Sequence, residues 1–187
     1  MSLSEESNRY YSERSKQLNS LKRNTLIGIF GSFYGTRKSD LISLKQFLRN
    51  YGYNPRISED LDKRKEKDRK KKDPVCDRKL SEKLINDSDI HIFVLVRENE
   101  EDPDNLIQSV SMEIERLNTL YGCGEKSAKY VAVYAEKGLI GTMGSVCEGL
   151  LLSKKGDWII VEFEDFQDIF KPARQFCLNC IQDIYSY

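Results

Sequence analysis

A doubly wound α/β domain built on five parallel strands is the fold class this sequence predicts, on three observations. Short apolar runs alternate with segments whose apolar residues step by three and four, as strands alternate with helices. The run Asp89-Ile-His-Ile-Phe-Val-Leu-Val96 is apolar on both faces, which marks a central strand of a parallel sheet. The chain has 187 residues, a length that suits one sheet of this kind better than two domains. The expected architecture is flavodoxin-like or Rossmann-like, with strand order 2-1-3-4-5.

Residues 1–23 are polar, with Leu3, Tyr10, Tyr11, Leu18 and Leu21 as the main apolar members, and read as a helix or an N-terminal arm. The α/β domain then occupies 24–187. Thr25 to Phe30, TLIGIF, is the first strand, and Gly31-Ser32-Phe33-Tyr34-Gly35 is its loop. Asp40 is the expected cap of a helix through Leu41, Leu44, Phe47, Leu48 and Tyr51 that ends at Gly52. A weak strand follows at Asn54 to Ser58. Asp77 to Asn86 is helical through Leu80, Leu84 and Ile85, and leads into the central strand. A helix from Leu106 to Leu120 is ended by Gly122 or Gly124. Lys129 to Ala135 is the fourth strand, Ser145 to Leu152 a short helix, and Trp158 to Phe163 the fifth strand. Phe170, Phe176, Ile181 and Ile184 belong to a last helix.

Thirty Lys and Arg balance thirty Asp and Glu, and 39% hydrophobic residues suffice for a core. No apolar run approaches the ~20 residues that span a bilayer, and the N-terminus lacks the apolar stretch of a secretory signal. A cytoplasmic, non-membrane protein is expected, and five cysteines without disulfide-scaffold density are expected to be reduced. From Lys63 to Lys72, eight Lys or Arg less Glu66 and Asp68 leave a local charge of +6. This basic insertion reads either as a solvated loop or as a nonspecific contact for nucleic acid; without interleaved aromatics it offers no stacking platform.

In a 2-1-3-4-5 sheet, ligands settle beyond the carboxyl ends of strands 1 and 3, so the loops 31–35 and 97–105 should flank the crevice. On the helix LIQSVSMEIERLNTLY the stripe Ile107, Val110, Ile114, Leu117 and Tyr121 must face the sheet. Glu113 lies at the flank of that stripe, one turn from Ser109, while Glu115 lies nearly opposite and should be solvated. A carboxylate at the edge of a core can have a perturbed pKa and act as nucleophile, base or cation stabiliser. The plainer alternative is a boundary residue paired with a nearby Lys or Arg.

Other candidates favour structural roles. Gly141 to Ser145 precedes a helix and can meet an anion, but it is no Walker loop, and Ser145 with Glu148 has the spacing of a capping box. His91, the only histidine, sits inside an apolar strand and reads as a packed residue, which removes Ser-His and Cys-His centres. Cys177 and Cys180 form CLNC on one helical face, where packing is preferred to zinc; no metal or cofactor is expected.

The order IGIFGSFYG, helix, DSDIHIFVLV, SVSMEIERL, KYVAVYAE resembles the nucleoside 2-deoxyribosyltransferase-like superfamily, with TIR-type NAD-cleaving domains as distant relatives. The resemblance spans Asn24 to Phe163. It implies that Glu113 attacks or supports the anomeric carbon of a ribosyl group as an N-glycosidic bond breaks. Tyr34 would orient sugar or base, and Ser32 with the Gly31 backbone would line the floor. Asp104, or Asp102, would stand in for the family aspartate, although NEEDPDNLIQSVS departs from the family's Asp-rich turn. The implied ligand is a nucleoside, a nucleotide or NAD. Two alternatives stay open: a non-catalytic nucleotide-sensing module of the same fold, and an interaction protein that assembles with itself or with nucleic acid.

Overall fold

The computed structural model describes residues 3–31, 37–64, 73–97, 104–122, 130–142, 145–153 and 158–185, and side chains at 10–31, 37–64, 73–97, 110–120, 130–141, 148–153 and 158–185. The element order is α1 (Leu3–Asn24), β1 (Leu26–Gly31), α2 (Arg37–Asn50), β2 (Asn54–Arg56), α3 (Pro74–Asp87), β3 (Ile90–Leu95), α4 (Asp104–Gly122), β4 (Val131–Glu136), α5 (Ser145–Ser153), β5 (Ile159–Phe163) and α6 (Phe170–Tyr185). All four strand pairings are parallel, in the order β2-β1-β3-β4-β5. The doubly wound, flavodoxin-like sheet expected from the sequence is therefore the observed one.

The central strands β1, β3 and β4 are buried along almost their whole length, as continuous apolar runs require. Their alternate residues feed two cores. Ile27, Ile29, Ile90, Ile92, Val94 and Tyr134 pack with α2 and α6, and Leu18 and Leu21 of α1 add to that face. Phe30, Phe93, Leu95 and Val133 pack with Leu84 and Ile85 of α3, Val110, Ile114 and Leu117 of α4, and Leu151 of α5.

Several elements depart from the sequence expectation at their ends. The N-terminal arm is a 22-residue helix whose C-terminal end is anchored by Leu18, Leu21 and Lys22, the last 4.8 Å from the Tyr53 ring centroid. Helix α2 starts at Arg37, so Asp40 is not its cap; it lies in the first turn, 3.6 Å from Arg37. There its charge still complements the helix dipole. The C-terminal end is as read, with Gly52 at φ +83°, a conformation that L side chains rarely adopt. β2 stops at Arg56, because the chain turns into a 3-10 segment over Ser58–Leu61. Helix α3 begins at Pro74, three residues earlier than expected, with the Asp73 side chain accepting from the Cys76 N–H at 3.0 Å. Asp at the cap and Pro at the first position are each suited to a helix start.

Candidate functional site: a buried carboxylate and the crossover edge

Register places Gly31 beside Val94, so the chain leaves β1 and β3 side by side and turns to opposite faces of the sheet. Gly31 is tight here: a Cβ would lie 3.1 Å from the Val94 carbonyl oxygen and 2.9 Å from Leu41. This edge is tied together by charge. Arg37 donates through Nε and Nη2 to the carbonyl of Arg97, at 3.1 and 2.8 Å. Glu136, at the end of β4, accepts from the Arg97 backbone N–H at 2.8 Å and lies 4.0 Å from Arg37. The Arg97 side chain reaches the Lys137 carbonyl at 3.3 Å and has no carboxylate partner among the described residues.

Glu113 belongs to the face of α4 that meets α3. Oε1 accepts from the Ser81 hydroxyl, and Oε2 is buried without a hydrogen-bond partner among the described residues. Glu115 on the same helix is exposed. Burial disfavours the charged form and pushes the Glu113 pKa up to about 7 from an ordinary 4.5, against the opposing pull of the Ser81 hydrogen bond. No Lys or Arg pairs with it among the described residues, so the boundary ion pair considered from the sequence is not what is found. A carboxyl that titrates near neutrality can hold or release a proton, and once ionised it strongly favours an adjacent positive charge.

The other sequence candidates fare unevenly. Ser32 and Tyr34 lie outside the described residues, as do the side chains of Asp104 and Ser109; Asp102 is also outside. Asp104 opens α4, and Ser109 is one turn before Glu113 on that helix. Ser145 opens α5, but its side chain lies outside the described set, and with it the capping box. His91 is a core residue: Nε2 is 2.9 Å from the Ile85 carbonyl, and the ring stacks on Phe30 with centroids 6.0 Å apart. Burial lowers its pKa, outweighing the Ile85 carbonyl and Asp89, and keeps the ring neutral. Cys177 and Cys180 lie on the buried face of α6, where burial pushes the Cys180 thiol up to about 12. Among the described residues no three His, Cys, Asp or Glu side chains gather as a metal site would need.

Of the basic insertion, Lys63 and Arg64 are described. Arg64 donates to Asp62 from Nε at 3.1 Å and Nη2 at 2.8 Å, and lies 3.5 Å from Asp73 and 3.4 Å from Asp77. It joins the two ends of the insertion. No helix among the described residues is long and apolar enough to cross a membrane.

Sequence reasoning missed Ser81, Arg37, Arg97 and Glu136. Ser81 had a readable signal, since it stands three and four residues before Leu84 and Ile85, on the apolar side of α3. Arg37, Arg97 and Glu136 are brought together only by strand order.

No family model matches the chain, and no curated protein matches it. Among solved structures, the metal-soaked Flv1 flavodiiron core from Synechocystis sp. PCC6803 aligns over 96% of this chain and 40% of its own, at 11% identity and a TM-score of 0.43. This chain thus spans less than half the length of that neighbour. The likeness is too slight to bear on function, and the fold assignment rests on strand order and direction.

Proposed function

We propose that this protein binds a nucleoside or nucleotide, NAD included, at the carboxyl edge of its sheet, and that Glu113 serves cleavage or transfer of the N-glycosidic bond. The observation that carries this reading is a carboxylate withdrawn from water without a cationic partner among the described residues, one oxygen held by Ser81 and the other unengaged among them. In the reaction the C–N bond breaks with its electron pair leaving on the base, and positive charge develops on the sugar. A carboxylate stabilises that charge or closes on the anomeric carbon; water then supplies hydroxyl to the sugar and a proton to the base. Arg97, free of a carboxylate among the described residues, suits the phosphate of a nucleotide at the same edge.

A sensing module without turnover is the second reading, and one observation favours it. Glu113 stands nine residues into α4, about 14 Å from the helix start, so a ligand confined to the sheet edge would be bound without engaging it, whereas cleavage requires one that extends along α4. One experiment tests both. The protein is incubated with NAD and a panel of nucleosides and nucleotides, and free base is followed by chromatography for the parent, Glu113→Gln and Glu115→Gln. Release by the parent and by Glu115→Gln, lost in Glu113→Gln, supports glycosidic chemistry. Thermal stabilisation by one compound without release supports the sensor, and release unaltered in Glu113→Gln removes the role of Glu113.

A further inference from the structure

The two edges of the sheet are unlike. The β2 edge has three residues, of which Pro55 lacks an N–H and Arg56 is charged, two features that discourage pairing with another chain. The β5 edge has five residues, Ile159–Phe163, and is a terminal strand of the sheet. Ile159 and Val161 sit in register with Ala132 and Tyr134, so they point to the α6 layer, yet they remain 44% and 37% exposed. Leu152, 57% exposed, lies in the last turn of α5, the helix that leads into this strand. A long edge with exposed β-branched residues is a template for a further strand.

We infer that β5 pairs with β5 of a second copy of this chain, antiparallel about a two-fold axis through Ile160, joining two sheets into one. The Phe163 carbonyl accepts from the Lys137 N–H at 2.8 Å and so is turned toward β4. Alternation along the strand then turns the N–H and C=O of Ile160 and Glu162 outward. With Ile160 opposite itself, outward groups meet outward groups, and Ile159 of one copy faces Val161 of the other, covering both exposed side chains. Charge order favours antiparallel over parallel self-pairing. Glu162 of one copy then lies opposite Trp158 of the other, whereas in-register parallel pairing would set the two Glu162 carboxylates side by side. Two five-residue strands alone bury less than the ~1,200 Å² of a standard interface, so Leu152 and its neighbours must contribute, and the association is concentration-dependent.

The test is sedimentation of the full chain over a range of concentrations, beside Val161→Lys and Ile160→Pro. By the same alternation the proline removes an N–H that faces away from β4, and circular dichroism with thermal melting establishes that each variant is folded. A parent dimer that both folded variants weaken by about tenfold or more is the expected result. If either variant fails to fold, Ile159→Cys with Val161→Cys reports instead, by forming a disulfide-linked dimer under mild oxidation, detected by mass. A parent that stays monomeric at every concentration overturns the inference, as does a dimer that Val161→Lys leaves intact or a cysteine pair that never cross-links.

Discussion

The hydroxyl of Ser81 on α3 donates to Oε1 of Glu113 on α4, a polar bond in a layer whose core includes Leu84, Ile85, Ile114 and Leu117. Burial, with no counter-ion among the described residues, holds the Glu113 pKa near 7, above its unfolded value. The folded state therefore binds a proton that the unfolded chain has already released. The stability this contributes is fully present below pH about 4.5 and is lost as pH rises through about 7. Glu113→Gln, neutral at every pH, should flatten that decline by up to about 3 kcal/mol and be more stable than the parent at pH 8. Urea unfolding at several pH values measures it. Parallel pH profiles for parent and variant would show that Glu113 does not titrate in this range.

Ser81→Ala asks the same pair a different question. Without the hydroxyl, Oε1 also loses its acceptor role, and a buried carboxylate left unbonded is costly when charged. The expected loss is about 1–3 kcal/mol at pH 8 and clearly smaller at pH 5, where the carboxyl is protonated. A loss independent of pH would mean that the serine matters for packing alone.

Gly28 is a steric prediction with no electrostatic component. A Cβ there would lie 2.6 Å from the Ser88 hydroxyl and 2.7 and 2.8 Å from the Phe30 ring. Neither neighbour is free to retreat: Ser88 donates to the Leu84 carbonyl at 2.7 Å, and Phe30 stacks on Phe93 at 4.8 Å between centroids. Gly28→Ala should cost about 1–3 kcal/mol in chemical denaturation with the fold retained. A variant as stable as the parent would show that this part of the sheet can shift.

The strands and most helices were legible in the sequence because their signals are local. DIHIFVLV reads as a buried strand whatever surrounds it, and the periodicity of Leu41, Leu44 and Leu48 locates α2. Helix ends were less legible: periodicity starts at Leu41, but α2 starts at Arg37, whose ion pair with Asp40 carries no apolar signal. The different surroundings of Glu113 and Glu115 followed from a helical wheel, yet the partner Ser81 did not, because a wheel shows which side a residue takes and not what another helix presents to it. The place of β5 at the edge of the sheet followed from the expected order 2-1-3-4-5. The exposure of Ile159 and Val161 did not, because an apolar run carries no sign of what covers it.

The crossover edge supplies the last prediction. Glu136 holds the backbone N–H of Arg97, and Arg37 donates twice to the carbonyl of that same residue, so both backbone groups of Arg97 are fixed by side chains distant in sequence. Removing the carboxylate leaves an amide without its acceptor at the point where the chain leaves β3. In Glu136→Ala the Arg97 amide should exchange with solvent deuterium about tenfold faster or more, while the amide of Ile92 in the strand interior keeps its protection. The stability cost should be about 1–2 kcal/mol, and Glu136→Gln, which keeps an acceptor oxygen, should recover most of it. Unchanged exchange at Arg97 in the alanine variant would mean that Arg37 alone fixes this turn, and Arg37→Ala would then be expected to release it.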